Sequence, residues 1–200
     1  MNLDSKYLGK IDFNRAANLQ KDLWLKAKSG RNNMILGLEH PAVITLGRRA
    51  NSEEVHSTLI PVIKASRGGL ATLHSEGQLV IYPILQLSQF KLGVRDYVHL
   101  LLQTTENVFL KLNLRTYKDD LNIGLYTERG KIAFCGLEIK NGISQHGISI
   151  NISNDLSLFD NIISCGFQKP DLDKLGNYRT DIGLRAFYEL WVDEFMKLIK

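Results

Sequence analysis

The sequence predicts an α+β (α/β) domain, a mixed β-sheet flanked by helices. Apolar residues recur at steps of three and four over residues 94–112, which is typical of a helix with one buried face. Three strand-like segments then follow one another at 121–127, 131–139 and 143–153, as in consecutive antiparallel hairpins. A last amphipathic pattern near the C-terminus adds another helix. Strands interspersed with helices in this irregular order favour a mixed sheet over a purely parallel one.

The elements before residue 94 are shorter. Asp12 is a typical N-cap for a helix over residues 13–28, and Ser29-Gly30 is a typical end for it. Short apolar runs between polar turns predict three strands, at 34–38, 43–46 and 61–65.

Three signals fix details of the remaining elements. Residues 79–87 predict a buried strand, and Pro83 within it predicts an edge position or a bend, because proline donates no ladder hydrogen bond. Asn141-Gly142 is a strong signal for a type I′ hairpin turn. Thr180 or Asp181 is expected to begin the last helix.

Length and composition limit the classes of protein. Two hundred residues with 44% hydrophobic and 23% charged content suit one globular domain over residues 1–200. The longest apolar run, 79–85, is too short to span a membrane, and the first residues contain no apolar signal-peptide core, so a cytoplasmic protein is expected. The net charge of +4 comes from scattered residues, which speaks against nucleic acid and modestly favours acidic protein partners.

The two cysteines, Cys135 and Cys165, have no metal-binding spacing, so no metal site is expected from them. No cofactor is expected. A disulfide between them is improbable in a cytosolic protein. Lys131 begins an apolar strand-like run, and Cys165 lies at the end of the stretch that this run opens. If the two side chains were close, the lysine ammonium would lower the pKa of the thiol from about 8.5 towards neutral pH. The spacing alone leaves open whether the two meet. Cys135, within an apolar run, is more simply a small packed residue.

A glycine-rich segment at 67–78 admits two interpretations. The pair Gly68-Gly69 permits positive φ and a close approach of a ligand to the backbone, with amide groups able to bind it. The alternative is an ordinary loop between strands, and the segment by itself favours neither.

Several motifs in a fixed order resemble the octanoyltransferases of lipoate biosynthesis, also called lipoyl(octanoyl) transferases. The resemblance extends from about Leu36 to Cys165. The residues that carry it are Thr45-Leu46-Gly47-Arg48, Arg67-Gly68-Gly69, His74, Gly77-Gln78-Leu79, Tyr82-Pro83, Lys131-Ile132-Ala133, Gly136, His146-Gly147, Asn151, Asp155-Leu156, Phe159 and Cys165-Gly166.

The resemblance implies a biotin/lipoate protein ligase-like fold and a transfer of octanoyl from octanoyl-acyl carrier protein to one lysine of a lipoyl domain. The acceptors would be the lipoyl domains of 2-oxoacid dehydrogenases and the glycine cleavage H protein. It implies Cys165 as the residue that holds the acyl group as a thioester and Lys131 as its catalytic partner. Matching the family's acyl-binding segments gives the expected substrate-binding residues, which are Arg67, Gly68, Gly69, Leu70, Ala71, Thr72, Leu73, His74, Phe134, Cys135, Gly136, His146, Gly147, Ile148 and Ser149.

Chemical reasoning adds two expectations to this site. Backbone N–H groups near Gly68-Gly69 or Gly136 are candidates to stabilise the oxyanion that forms on the acyl carbonyl. Apolar residues such as Leu70, Leu73 and Ile148 are expected to line a slot for the acyl chain.

The chain departs from the family pattern at Ser75-Glu76, where Gly-Pro is usual, at Ser164, where Pro is usual, and at Cys135, where a small residue without a thiol is usual. Two other functions remain open. One is an ATP-dependent lipoate–protein ligase, which needs no nucleophilic cysteine. The other is a non-catalytic protein that binds lipoyl domains.

Overall fold

The structure is a computed structural model, and it describes residues 3–30, 32–56, 59–119, 122–163 and 171–199. The helices are α1 (Phe13–Lys28), α2 (Val94–Lys111) and α3 (Leu184–Leu198). The strands are β1 (Leu3–Lys10), β2 (Asn33–Glu39), β3 (Val43–Leu46), β4 (Val62–Lys64), β5 (Ala71–His74), β6 (Gln78–Ile84), β7 (Tyr117–Lys118), β8 (Gly124–Thr127), β9 (Gly130–Lys140) and β10 (Ile143–Asn151).

The ends of the helices follow from local chemistry. The Asp12 carboxylate accepts hydrogen bonds from the N–H groups of Asn14 and Arg15 at 2.9 and 3.1 Å, which confirms the predicted cap of α1. The predicted start of α3 at Thr180 or Asp181 is wrong, because the helix begins at Leu184. The Asp181 carboxylate is bound instead to the Arg179 guanidinium, at 2.6 and 2.8 Å.

A seven-stranded sheet has the order β1-β2-β6-β10-β9-β8-β7. Its β1–β2 pair is parallel and its other pairs are antiparallel, so the predicted mixed sheet is confirmed. The turn between β9 and β10 has positive φ at Asn141 (52°) and Gly142 (74°), as a type I′ turn requires. The edge strand β1 was not predicted, because most of its residues are polar and none is fully buried.

Pro83 does not lie at an edge, so that alternative of the prediction is wrong. It lies on β6 in the middle of the sheet and is paired with Ile35 of β2. The proline is tolerated because the β6–β10 ladder stops at Ile81, so no N–H is needed from residue 83 on that side. The Pro83 carbonyl accepts instead from the hydroxyl groups of Ser144 and Tyr97, at 2.7 and 3.1 Å.

The two faces of the sheet are covered by different helices. Ile35 and Ile81 pack in a core with α2 and α3, whereas Leu36 and Val80 pack in a core with α1. Since successive residues of a strand point to opposite faces, the central strands are apolar on both sides, which explains their continuous hydrophobic runs. None of the helices in the described ranges is long and apolar enough to span a membrane.

A three-stranded sheet, in the order β4-β3-β5, lies beside the large one. Its core joins Ile44 and Leu73 to Phe134 of β9 and to Phe159. Residues 67–78 were interpreted as a ligand-binding segment or a loop, and part of this segment, Ala71–His74, forms the strand β5. This packing brings residues 67–70, which precede β5, against β9, where the Gly68 N–H donates to the Leu137 carbonyl at 2.9 Å.

Candidate functional site

A cavity lies where the small sheet meets β9 and β10, and we call it the inner cavity. The predicted substrate-binding residues that line it are Arg67, Gly68, Gly69, Leu70, Ala71, Thr72, His74, Phe134, Cys135, Gly136, His146, Gly147, Ile148 and Ser149, and the predicted catalytic residue Lys131 also lines it. Segments far apart in the sequence therefore meet at one place.

Leu73 is the exception among the predicted substrate-binding residues, because it does not line the inner cavity. It is fully buried in the core of the small sheet, against Ile44 and Phe159. Three further residues line the inner cavity and were not predicted to belong to the site: Val80, Tyr82 and Ile123. Val80 and Tyr82 lie two residues apart on β6, so strand alternation places both on one face of the strand. Once β6 is recognised, this alternation predicts that the two residues belong to the same surface.

The wall formed by residues 67–70 is held in shape by the Arg67 side chain. Its guanidinium donates to the Thr45 carbonyl at 2.6 Å, to the Thr45 hydroxyl at 2.8 Å, and to the carbonyls of Gly68 and Leu70 at 3.0 and 2.9 Å. These bonds direct the cation towards the protein's own backbone and stabilise the loop. Gly47 is needed beside it, because a Cβ there would lie 2.4 Å from the Gly69 carbonyl oxygen.

The glycine N–H groups proposed for the oxyanion are not all available. The Gly68 N–H is used by the Leu137 carbonyl, so an oxyanion site that relies on this group is excluded unless that bond breaks.

Lys131 lies on β9 and its residue is only 3% exposed. Its ammonium lies 5.2 Å from the centre of the Tyr126 ring and 5.1 Å from the centre of the Phe134 ring. Contacts of this length with aromatic faces are attractive for a cation. Gly124 leaves room for the side chain, since a Cβ at that position would lie 2.5 Å from Lys131 Cε.

Cys165, the predicted nucleophile, lies outside the described residues, as does its neighbour Gly166. The described residues on either side of it are anchored. The Ile163 N–H donates to the Glu54 carbonyl, and the Asp171 carbonyl accepts from the Lys131 N–H, both at 2.8 Å. The residue at which the chain is next described is therefore bonded directly to Lys131.

Cys135 lies on β9 and lines the inner cavity. Burial raises the pKa of its thiol to about 12, although the positive charge of Lys131 acts in the opposite direction. The thiol is therefore protonated at neutral pH, which makes Cys135 a poor nucleophile.

Three histidines cluster at the inner cavity, and two of them, His74 and His146, line it. His40 Nδ1 lies 2.7 Å from the Ile11 carbonyl and so carries the proton, which leaves Nε2 to accept from the Tyr82 hydroxyl at 3.0 Å. His74 Nδ1 in the same way donates to Gln78 Oε1 at 2.7 Å.

Burial is the largest effect on the acidity of these rings. It lowers the pKa of His40, and it lowers the pKa of His74 to about 3 and that of His146 to about 4, with nearby Arg67 acting in the same direction on the last two. All three imidazoles are therefore neutral near pH 7. Among the described residues, no group of three His, Cys, Asp or Glu side chains is arranged to hold a metal ion.

A second, wider groove adjoins the inner cavity, and we call it the outer groove. It shares with the inner cavity the residues Gly68, Gly69, Leu70, Ile123, Lys131, Cys135 and Gly136. Its remaining lining comes from Arg48, Arg49, Val94, Val98, Asn122, Leu137 and Ile139. Lys131 therefore lies at the junction between an inner cavity and an open groove.

Comparison with known proteins identifies the family. The family model for the lipoyl protein ligase A/B catalytic domain matches residues 12–196. The chain belongs to this family. An octanoyltransferase of Francisella tularensis subsp. novicida is 33% identical over 200 residues, covering 99% of this chain and 97% of the relative. One of Persephonella marina is 32% identical over 182 residues, covering 84% of this chain and 89% of the relative.

The fold agrees with this membership. A crystal structure of lipoate-protein ligase A bound with ATP superposes with a TM-score of 0.81 at 14% identity, covering 98% of this chain and 85% of that one. Identity this low shows the shared fold alone. The fold expected from the sequence is confirmed, and the octanoyltransferase relatives make this member of the family an acyltransferase that acts in octanoyl or lipoyl transfer.

Proposed function

We propose that this enzyme transfers an octanoyl group from octanoyl-acyl carrier protein to a specific lysine of lipoyl domains, through a thioester on Cys165. The acceptors would be the lipoyl domains of 2-oxoacid dehydrogenases and the glycine cleavage H protein. One observation carries the proposal: in a family whose relatives are named octanoyltransferases, the buried Lys131 opens onto a cavity that joins the predicted acyl-binding segments. We also propose that residues 1–200 act as one catalytic domain.

The reaction has two steps. The Cys165 thiolate attacks the carbonyl carbon of the donor thioester, a new carbon–sulfur bond forms, and the donor leaves as a thiolate that takes up a proton from the Lys131 ammonium. The acceptor lysine, as a neutral amine, then attacks the Cys165 thioester and loses its proton to the neutral Lys131, an amide forms, and Cys165 leaves as the thiolate that began the cycle. Each step exchanges an activated acyl group for one of similar or lower energy, so no nucleotide is consumed.

Lys131 has two tasks in this scheme. As an ammonium it stabilises the Cys165 thiolate by its charge, and after giving up a proton it accepts the proton of the attacking amine. Its surroundings support both. The rings of Tyr126 and Phe134 stabilise the charged form and fix the position of Nζ, while the junction between the inner cavity and the outer groove lets substrates reach it.

The acyl chain is assigned to the inner cavity. Its lining includes apolar surface from Leu70, Val80, Phe134 and Ile148. Burying one methylene of the chain contributes about 0.8 kcal/mol. The neutral histidines and Tyr82 form one end of the inner cavity, and their hydrogen bonds would have to break for these side chains to move. We propose that this rigid end limits the length of the acyl chain that the enzyme accepts.

The experiment that tests the proposal is transfer to a purified lipoyl domain with octanoyl carrier protein as the donor, in the absence of ATP and magnesium. We expect an octanoylated lipoyl domain under these conditions. A strict need for ATP would assign the chain to the ligases of the same fold. Binding of the lipoyl domain without turnover of any donor would make it a non-catalytic binding protein.

A further inference from the structure

The outer groove has a basic rim formed by two exposed arginines. Among the described residues that line it, Arg48 and Arg49 are its basic residues besides Lys131. Both are exposed, and their guanidinium groups form no ion pair or hydrogen bond with the rest of the described chain. This distinguishes them from Arg67, whose guanidinium is committed to Thr45 and to backbone carbonyls.

The backbone holds this rim in place. The Arg48 N–H donates to the Arg67 carbonyl at 3.0 Å, and the Arg49 N–H donates to the Gly69 carbonyl at 3.1 Å. The rim is therefore bonded to the same loop that forms a wall of the inner cavity. Two guanidinium groups thus start from backbone positions that are fixed relative to Lys131, although their side chains extend into solvent.

The rest of the outer groove is apolar. Val98, Leu137 and Ile139 contribute to its walls, and Val94 and Ile123 are each 53% exposed there. Exposed apolar surface beside unneutralised arginines suits a ligand with an uncharged, extended part and an anionic group. A phosphate is the anion that guanidinium groups bind best, because its oxygens accept paired hydrogen bonds from the planar donor fork.

We propose that Arg48 and Arg49 bind the phosphate of the thiol arm that carries the acyl thioester of the donor, as in phosphopantetheine. This inference rests on the proposed function. With the acyl chain in the inner cavity and the thioester at Lys131, the arm leaves through the outer groove. The phosphate then meets the arginine rim, and the arm's uncharged part lies along Val94, Val98 and Ile139.

The test compares two small donors that differ only in the phosphate, octanoyl-phosphopantetheine and octanoyl-pantetheine, with a purified lipoyl domain as acceptor. We expect wild-type protein to have a KM about tenfold lower for the phosphorylated donor, as two charge-assisted contacts would give. In Arg48→Ala/Arg49→Ala the ratio of the two KM values should fall below about twofold, and Arg48→Lys/Arg49→Lys should keep part of it.

A matched control removes the same charge elsewhere. Lys21→Ala/Lys26→Ala lies on the exposed side of α1, on the sheet face opposite to α2, and should leave the wild-type ratio unchanged. The proposal is overturned if wild type shows no preference for the phosphorylated donor, if the alanine pair keeps it, or if that pair changes only the KM of the lipoyl domain. Failure of the proposed function looks different, since wild type would then transfer octanoyl neither from the two small donors nor from octanoyl carrier protein.

Discussion

Arg67 and Lys131 are both buried cations on the wall of the inner cavity, 7% and 3% exposed, but their surroundings differ. Arg67 donates to Thr45 and to the carbonyls of the loop it belongs to. Lys131 has its ammonium against two aromatic rings, at a point where two cavities meet. In this comparison, Arg67 stabilises the loop that it belongs to, whereas Lys131 presents its charge at the junction of the inner cavity and the outer groove.

Replacing Lys131 with Met should have the largest effect on activity. Methionine keeps an apolar stem between the rings but removes the charge and the proton acceptor, so the transfer rate should fall by about a thousandfold. The free energy of unfolding should change by less than about 1 kcal/mol. Steady-state transfer and urea unfolding measure the two quantities, with Lys140→Met, at the exposed end of the same strand, as control. A variant that keeps more than a tenth of the activity would refute a catalytic Lys131.

Arg67→Met should show the opposite pattern. The carbonyls of Thr45, Gly68 and Leu70 would each lose a donor inside the protein, which should lower the free energy of unfolding by about 3 kcal/mol. Urea unfolding tests this, with Arg95→Met on the exposed face of α2 for comparison. Equal stability of the two variants would show that the bonds of Arg67 do not hold the fold.

Acid should destabilise the protein through the histidines next to Arg67. In the unfolded chain they take up protons near pH 6.5, whereas in the folded chain His74 and His146 do so only near pH 3 and 4. The contribution of these two histidines to the free energy of unfolding is therefore fully present above pH 6.5, and it is lost as the pH is lowered from there towards their folded-state pKa values. Between pH 7.5 and 5.5 the loss should be about 2–3 kcal/mol, at roughly 1.4 kcal/mol for each pH unit and histidine.

Urea unfolding at the two pH values measures this loss, and both values lie above the range in which carboxylates titrate. His99→Gln is the control, because His99 is exposed on α2 and should leave the pH dependence unchanged. Identical stability of wild type at pH 7.5 and 5.5 would mean that the buried histidines are not neutral in the folded protein.

Removing one ring from Lys131 should have the smallest effect. Tyr126→Leu loses one aromatic face beside the ammonium, an interaction of about 1 kcal/mol, so the rate should fall roughly fivefold. Tyr126→Phe keeps the ring and loses the hydroxyl bond to the Asn122 carbonyl, so its rate should stay close to wild type. Equal rates in the Leu and Phe variants would mean that the ring face does not position Lys131.

The elements of the fold could be predicted where they bury a periodic apolar pattern. The helix α2 and the hairpin at Asn141-Gly142 depend on local sequence and were predicted correctly. Strand β1 could not be predicted, because an edge strand needs few apolar residues. The position of Pro83 inside the sheet could not be predicted either, because the end of the neighbouring β6–β10 ladder depends on distant residues.

The site follows the same division. The resemblance correctly predicted that distant segments meet at one cavity. It also assigned all of residues 67–74 to the lining, but Leu73 lies on β5 and its side chain is buried in the core of the small sheet. The surroundings of Lys131 depend on pairing between strands: Tyr126 lies opposite Lys131 because of a register shift between β8 and β9. The sequence of either strand alone does not show this contact.

The most direct test of the account is intact-protein mass spectrometry after mixing the enzyme with octanoyl carrier protein, followed by a chase with a lipoyl domain. The account predicts one octanoyl group on wild-type and Cys135→Ala protein, lost when the lipoyl domain is added, and none on Cys165→Ala protein. An octanoyl group on Cys165→Ala protein, or an octanoylated lipoyl domain produced by it at the wild-type rate, would contradict a thioester at Cys165.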